Sequence, residues 1–334
     1  MRIGFDVRPF LAKETGVGVY FRKLLAALAL RDNDNEYFLF SSSFKDRFPR
    51  EKIPGFARRH FRDSRIPVRI LNFLWNRMGW PPLDVFFRER LDLTHSPTPL
   101  ILPTHGKKVV TVCDLFFLDA PEKADREARA FFAKRIGQAM ERADGIVTIS
   151  DFTRKDLIER FPAAEAKTWV VHPGIDRDFW EERGPDPPEK VKKRFGLPDV
   201  YLLFVGALEP RKNLPRLLEA LKRVHEQGGR ISLVLVGRRG GDSGHVQRKI
   251  QALGLEPWVK RVGYLEERQL RPVYRLAAAF VYPSLWEGFG IPLLEAMASG
   301  VPVACSRTSA LPETAGDAAV YFDPQDPEDI ARAV

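Results

Sequence analysis

The chain has 334 residues, 44% hydrophobic and 29% charged, with a formal net charge of +9. This composition excludes a disordered chain, a collagen and a coiled coil, and the length suggests two domains of ~150 residues each. The longest apolar runs, such as residues 24–30, fall far short of the ~20 residues a membrane-spanning helix needs.

In chain order, residues 2–7 read as a buried strand, and the TGVG of residues 15–18 reads as a glycine turn. A helix is expected over 20–30 and a strand over 37–41. Residues 45–77 hold ten basic and three acidic side chains, a local charge of +7. The aromatic Phe56, Phe61, Phe73, Trp75 and Trp80 are interleaved there or close by. Such a stretch fits phosphates, an anionic membrane surface or nucleic acid. Further strands are expected over 108–113, 145–149 and 168–172, with helices over 127–142 and from Ser150 or Asp151 to Glu159. Strands that are apolar throughout and alternate with helices argue for parallel sheets covered on both faces.

Residues 181–198, EERGPDPPEKVKKRFGLP, are rich in proline and charge and read as a linker with a short helix. The alternation then restarts. Strands are expected over 201–205, 231–236, 259–262, 279–282, 302–305 and 320–322. Helices are expected over 213–226, 246–253, 270–277 and 292–298. The domains are therefore 1–180 and 181–334, two doubly wound units facing a central cleft, with ligands beyond the carboxyl ends of strands. The opening MRIGFDVRPF lacks the apolar core of a secretion signal, and Cys113 and Cys305 stand far apart. The expected compartment is the cytoplasm.

Two stretches stand out for chemistry. In PSLWEGFGIPLLEAMASG, residues 283–300, a strand feeds a glycine-rich loop and then a helix with Pro292 in its first turn. Backbone N–H groups and the helix dipole make an anion site there. Glu287 before the helix and Glu295 inside it can accept hydrogen bonds from sugar hydroxyls. In VGALEPRKN, residues 205–213, Arg211 and Lys212 sit between a strand and a helix start. Cations there oppose the helix dipole, and as a planar fork and a point charge they suit a diphosphate. The pair Asp32/Asp34 falls in a helix-ending turn and Asp176/Asp178 in a domain-junction loop, and neither reads as a metal site. The histidines lack metal-binding spacing, and His95, His105 and His172 read as hydrogen-bonding groups in loops. Nucleic-acid binding would leave the carboxylates of the second half unexplained.

Six segments in order, TGVGVY (15–20), TVCDLFFLDAP (111–121), IVTISDFTRK (146–155), VHPGID (171–176), LFVGALEPRKNL (203–214) and VYPSLWEGFGIPLLE (281–295), resemble glycosyltransferase family 4. These are retaining, nucleotide-sugar-dependent enzymes of GT-B architecture. The LEPRKN form resembles the branch rich in bacterial polysaccharide mannosyltransferases. The resemblance implies that Glu287 faces the donor sugar and that Glu295 grips the ribose. Arg211 and Lys212 would hold the diphosphate and stabilise it as it leaves. Gly16 and Gly18 would approach it from the other domain. Gly288, Phe289, Gly290 and Ile291 would line the sugar site, Gly263 and Tyr264 would border the base, and Cys113 and Asp114 would lie near the sugar. It also implies GDP-mannose as the leading donor, a glycan or lipid-linked acceptor, and no metal or other cofactor.

Where relatives carry His before the Asp of the third strand motif, this chain has Cys113. Where they carry Arg after the glycine of the phosphate strand, it has Ala207. These departures lend some weight to a non-catalytic scaffold of the same fold. Relatives also continue past the last expected helix, whereas this chain stops at Val334. Arg58, Arg59, Arg62, Arg65, Arg69 and Trp75 are the expected acceptor or membrane contacts. Ile70, Leu71, Leu74 and Trp75 would dip into the bilayer as a peripheral anchor.

Overall fold

A computed structural model describes residues 1–10, 16–119, 133, 135–182 and 186–334. The chain divides into two units, Met1–Pro173 and Gly174–Val334. The division falls ahead of the expected boundary because the helix Arg177–Glu181 contributes its fully buried Trp180 to the core of the second unit.

The first unit is built on β1 (Arg2–Asp6), β2 (Glu36–Ser42), β3 (Arg59–Ser64), β4 (Leu93–Ser96), β5 (Lys107–Val112), β6 (Gly145–Thr148) and β7 (Thr168–Val170). These form one seven-stranded sheet in the order β3-β2-β1-β4-β5-β6-β7, and every pairing is parallel. β3 and β4 were not expected. RHFRDS and LTHS are too polar to read as buried strands, and β3 can be polar because it is an edge strand with solvated side chains. His95 is therefore a strand residue, edge-on to Phe21 and hydrogen-bonded to Thr111. Burial pulls its imidazole down to about 4.

Gly16 and Gly18 belong to the first turn of the helix Gly16–Arg31 and not to a turn before it; Thr15 lies outside the described residues. Most of the helix expected over 127–142 also lies outside them, and Ile136–Arg142 is its described part.

The second unit holds β8 (Tyr201–Val205), β9 (Ser232–Val236), β10 (Val259–Gly263), β11 (Ala279–Tyr282), β12 (Val303–Ser306) and β13 (Ala319–Phe322). Its six-stranded sheet runs β10-β9-β8-β11-β12-β13, again all parallel. β8 and β9 are apolar on both faces because helices cover both, among them Leu214–Glu226, which buries Leu214, Leu217, Leu218 and Leu221. The chain order reverses between β8 and β11, where the connections leave in opposite directions. Such a switch point opens a crevice at the strands' carboxyl ends, the standard ligand position in a doubly wound sheet. No helix among the described residues is long and apolar enough to cross a membrane.

Candidate active site

Both motif loops of the second unit leave the sheet at its switch point. After β8 the chain makes a short 3-10 turn, Pro210–Lys212, and enters its next helix through Asn213 in the left-handed conformation, φ 57°. After β11 it runs through residues 283–290 into the helix Ile291–Ala298. Backbone and side chain join the two loops. Leu285 N donates to the Arg211 carbonyl at 2.8 Å, and Asn213 Nδ2 donates to the Pro283 carbonyl at 3.1 Å. Gly290 has φ 106°, a conformation that favours glycine, and a Cβ there would also press on Leu311 Cδ2 at 2.8 Å. Gly237, after β9, approaches the Gly206 carbonyl so closely that a Cβ would lie 1.9 Å from its oxygen.

Here the structure brings together three of the expected residues. Lys212 and Glu287 are 6% and 7% exposed. Lys212 Nζ donates to Glu287 Oε1 at 2.5 Å and to the Tyr282 hydroxyl at 2.6 Å. Arg211 Nη1 donates to Glu287 Oε2 at 3.0 Å and to the Trp286 carbonyl at 3.2 Å. Its Nε donates to Glu209 Oε2 at 3.1 Å. Burial alone would raise the Glu287 carboxyl, but Lys212 and then Arg211 hold it down at about 2. Burial pulls the Lys212 ammonium below its ordinary value, and Glu287 pulls it back. We take both as charged at neutral pH, because a carboxylate 2.5 Å from the nitrogen stabilises the ammonium directly. A buried pair held this way costs desolvation and adds little net stability. Its geometry suits a function better than a structural role: two cations and a carboxylate are held on rigid loops at the ligand edge of a sheet.

Glu295 lies half-buried on the helix Ile291–Ala298, and the Tyr274 hydroxyl donates to its Oε2 at 2.9 Å. Gly288, Phe289 and Gly290 are buried between the two glutamates, and Ile291 opens the helix. Gly263 closes β10 at the same edge of the sheet, followed by the exposed Tyr264. Ala207 follows Gly206 at the end of β8, so Arg211 and Lys212 are the basic side chains of that loop.

In the first unit, Cys113 and Asp114 follow β5. Burial, with Asp114 beside it, pushes the Cys113 thiol up to about 12, so it stays protonated. The Cys113 carbonyl accepts from Thr153 Oγ1, and Asp114 Oδ1 accepts from Phe116 N. Asp32 holds the turn after the helix Gly16–Arg31, as expected, and Asp176 starts a helix. Asp32 accepts from Asn35 and Tyr37, and Asp176 caps the helix Arg177–Glu181.

Among the acceptor-side residues, Arg58, Arg59, Arg62, Arg65 and Arg69 are exposed. Trp75 is not a surface residue: it is 1% exposed, with Arg8 over its ring and Nε1 donating to the Pro81 carbonyl. Leu71 is likewise buried. The helix Val68–Met78 carries apolar residues on more than one face, and packing against Phe40 and Leu83 turns Leu71 and Trp75 inward. The buried Asp6–Arg8 ion pair at the end of β1, with Arg8 Nη1 donating to Asn72, was not foreseen.

Comparison with known proteins agrees with this geometry. Residues 15–179 match the family model "Glycosyltransferase Family 4", and residues 186–334 match "Glycosyl transferases group 1". O-antigen chain mannosyltransferase B of Escherichia coli is 31% identical over 100% of this chain and 90% of its own length. The serotype-specific mannosyltransferase WbdA of the same species is 31% identical over 68% of this chain, which spans 29% of that longer protein. Among solved structures, Anabaena HepE with UDP and glucose superimposes with a TM-score of 0.72 at 19% identity, covering 99% of this chain and 88% of that one. WaaG, a glycosyltransferase of lipopolysaccharide biosynthesis, gives 0.70 at 17%, covering 100% and 89%. The chain thus belongs to glycosyltransferase family 4, and its two sheets are the Rossmann-like halves of a GT-B fold.

Proposed function

We propose that the chain is a retaining mannosyltransferase that takes the sugar from GDP-mannose and adds it to a glycan or lipid-linked acceptor of a bacterial surface polysaccharide. The observation that carries this is the cluster of buried Lys212 and Glu287 with half-buried Arg211 at the switch point of the second sheet. The donor's diphosphate takes the two cations, and Glu287 turns to the sugar hydroxyls. Glu295 accepts from the ribose hydroxyls. As the C1–O bond to the diphosphate breaks, Arg211 and Lys212 stabilise the leaving charge, so no metal is required. The acceptor oxygen bonds C1 on the same face, and the departing phosphate oxygen takes the acceptor's proton. The mannosyltransferase names of two relatives support the choice of sugar.

A thermal-shift screen of GDP-, UDP-, ADP- and dTDP-sugars, with and without divalent metal, tests this. GDP-mannose is expected to raise the midpoint without metal, through preferential binding to the folded state, and Lys212→Ala is expected to abolish the shift. Stabilisation by another donor, or only with metal, would overturn the corresponding part.

We further propose a peripheral position at an anionic membrane. The helix Val68–Met78 turns Ile70 (53% exposed) and Phe73 (59%) outward, flanked by exposed Arg65, Arg69 and Arg77 and followed by exposed Met78 and Trp80. Apolar side chains ringed by arginines are the chemistry of an interfacial helix on anionic headgroups. Flotation with phosphatidylcholine vesicles, with and without phosphatidylglycerol, decides the matter. Binding should require the anionic lipid and fall with salt, and equal binding to both would contradict it.

A further inference from the structure

Each of the two glutamates is linked to a buried tyrosine, Glu295 directly to Tyr274, which lies outside the quoted motifs, and Glu287 through Lys212 to Tyr282, which lies within one but has no role assigned there. Tyr274, in the last turn of the helix Glu267–Arg275, is 0% exposed. Its hydroxyl donates to Glu295 Oε2 at 2.9 Å and lies 3.4 Å from the Pro292 carbonyl. Tyr282, the last residue of β11, is 1% exposed. Its hydroxyl accepts from Lys212 Nζ at 2.6 Å, and the same nitrogen donates to Glu287 Oε1. Lys212 Nζ also sits 4.7 Å from the Tyr282 ring centroid.

The two tyrosines share one aromatic column. Tyr274 lies edge-on to Trp180 at 5.6 Å and packs on Phe280 at 5.4 Å. Phe280 in turn stacks on Tyr282 at 5.5 Å. The helix that carries Tyr274 is fixed from outside this column as well. Arg271 donates to Glu182 at 2.8 Å and stacks over Phe179, and Arg275 donates to the Trp180 carbonyl at 3.2 Å. Neither ring can move without disturbing several neighbours, so each hydroxyl is a fixed point.

We infer that Tyr274 and Tyr282 are positioning residues that serve different halves of the nucleotide: Tyr274 aims Glu295 at the ribose, and Tyr282 sets Lys212 and Glu287 for the diphosphate. Holding one oxygen of the Glu295 carboxylate fixes the direction of the other, so the acid meets a vicinal diol in one orientation. The Lys212 ammonium has three donors on a flexible stem. Tyr282 takes one by hydrogen bond and faces the charge with its ring, which leaves the group a single arrangement when a phosphate replaces Glu287. Burial pushes both hydroxyls well above their ordinary value, so they act as neutral groups throughout the working pH range. Phenylalanine fits both places in the aromatic column, so each hydroxyl can be removed without emptying the core.

The inference rests on the ribose and diphosphate roles proposed above, and calorimetric titration of the full chain keeps the two apart. GDP, 2′-deoxy-GDP, 3′-deoxy-GDP and GMP are titrated into the wild type, Tyr274→Phe, Tyr282→Phe and Glu295→Ala. Tyr274→Phe should lower the preference for GDP over the deoxy nucleotides by about fivefold and leave the preference for GDP over GMP unchanged. Tyr282→Phe should do the reverse by a similar factor. If both variants lose both preferences equally, or neither loses any, the tyrosines are core residues only and the inference fails. If Glu295→Ala keeps full discrimination against the deoxy nucleotides, the ribose role itself is wrong. If Glu295→Ala loses that discrimination while Tyr274→Phe keeps it, the ribose role stands and the positioning role falls.

Discussion

The molecule has two concentrations of positive charge, and they are built in opposite ways. In the second unit, Arg211 and Lys212 sit on a turn at the carboxyl end of a sheet, held by two carboxylates, a carbonyl and a tyrosine. In the first unit, the arginines along β3 and the helix Val68–Met78 are exposed, with Ile70 and Phe73 between them. A buried and a half-buried cation with fixed partners select a small anion by geometry. Exposed cations on long side chains attract any anionic surface and are screened by salt. The same residue types therefore point to a substrate in one place and to a surface in the other.

The largest expected difference is in turnover. Lys212→Ala or Glu287→Ala should lower transfer from the sugar nucleotide by about 10³-fold. Arg69→Glu with Arg77→Glu should leave transfer to a water-soluble acceptor unchanged. Equal losses in initial-rate assays would erase the distinction.

Stability should separate the two regions next. Lys212→Met leaves the Glu287 carboxylate buried with one cation fewer and should cost roughly 3 kcal/mol in urea unfolding. Adding Glu287→Gln should recover part of that. The double arginine variant should stay within about 0.5 kcal/mol of wild type. Additive losses in the cycle would mean the buried pair is not coupled.

The membrane partition coefficient reverses the order. Arg69→Glu with Arg77→Glu should weaken binding to anionic vesicles by roughly tenfold or more, and Lys212→Ala should not change it.

The smallest effect concerns acid. The Glu287 carboxyl is held at about 2, against 4.5 for an ordinary one. A depressed carboxyl contributes stability that is present above about pH 4.5 and lost as pH falls toward 2. Glu287→Gln should therefore show a shallower loss of stability across that window than wild type. Parallel curves would mean the carboxylate gains nothing from its cations.

The second unit was nearly all legible in the sequence, because its inner strands are apolar throughout and its glycine loops break the pattern at each carboxyl end. The first unit was less so. β3 reads as a basic loop because an edge strand can be polar, and LTHS in β4 is too short and polar to announce a strand. Trp75 looked like a surface anchor because the helix Val68–Met78 has apolar residues on several faces, and only packing decides which face turns inward. Arg211, Lys212 and Glu287 could be named from their loops, but their meeting could not, since 75 positions separate Lys212 from Glu287 and the fold alone joins them. Tyr282 left one faint signal: a hydroxyl at the carboxyl end of the otherwise apolar strand AFVY.

Whether the Arg211–Lys212–Glu287 cluster is a diphosphate site is decided by calorimetric titration of the full chain with GDP and GMP in metal-free buffer. GDP should bind at least tenfold more tightly than GMP, and Lys212→Ala should abolish that preference in a protein that still unfolds cooperatively. Equal affinity for the two nucleotides, or a preference that survives Lys212→Ala, would contradict a diphosphate site.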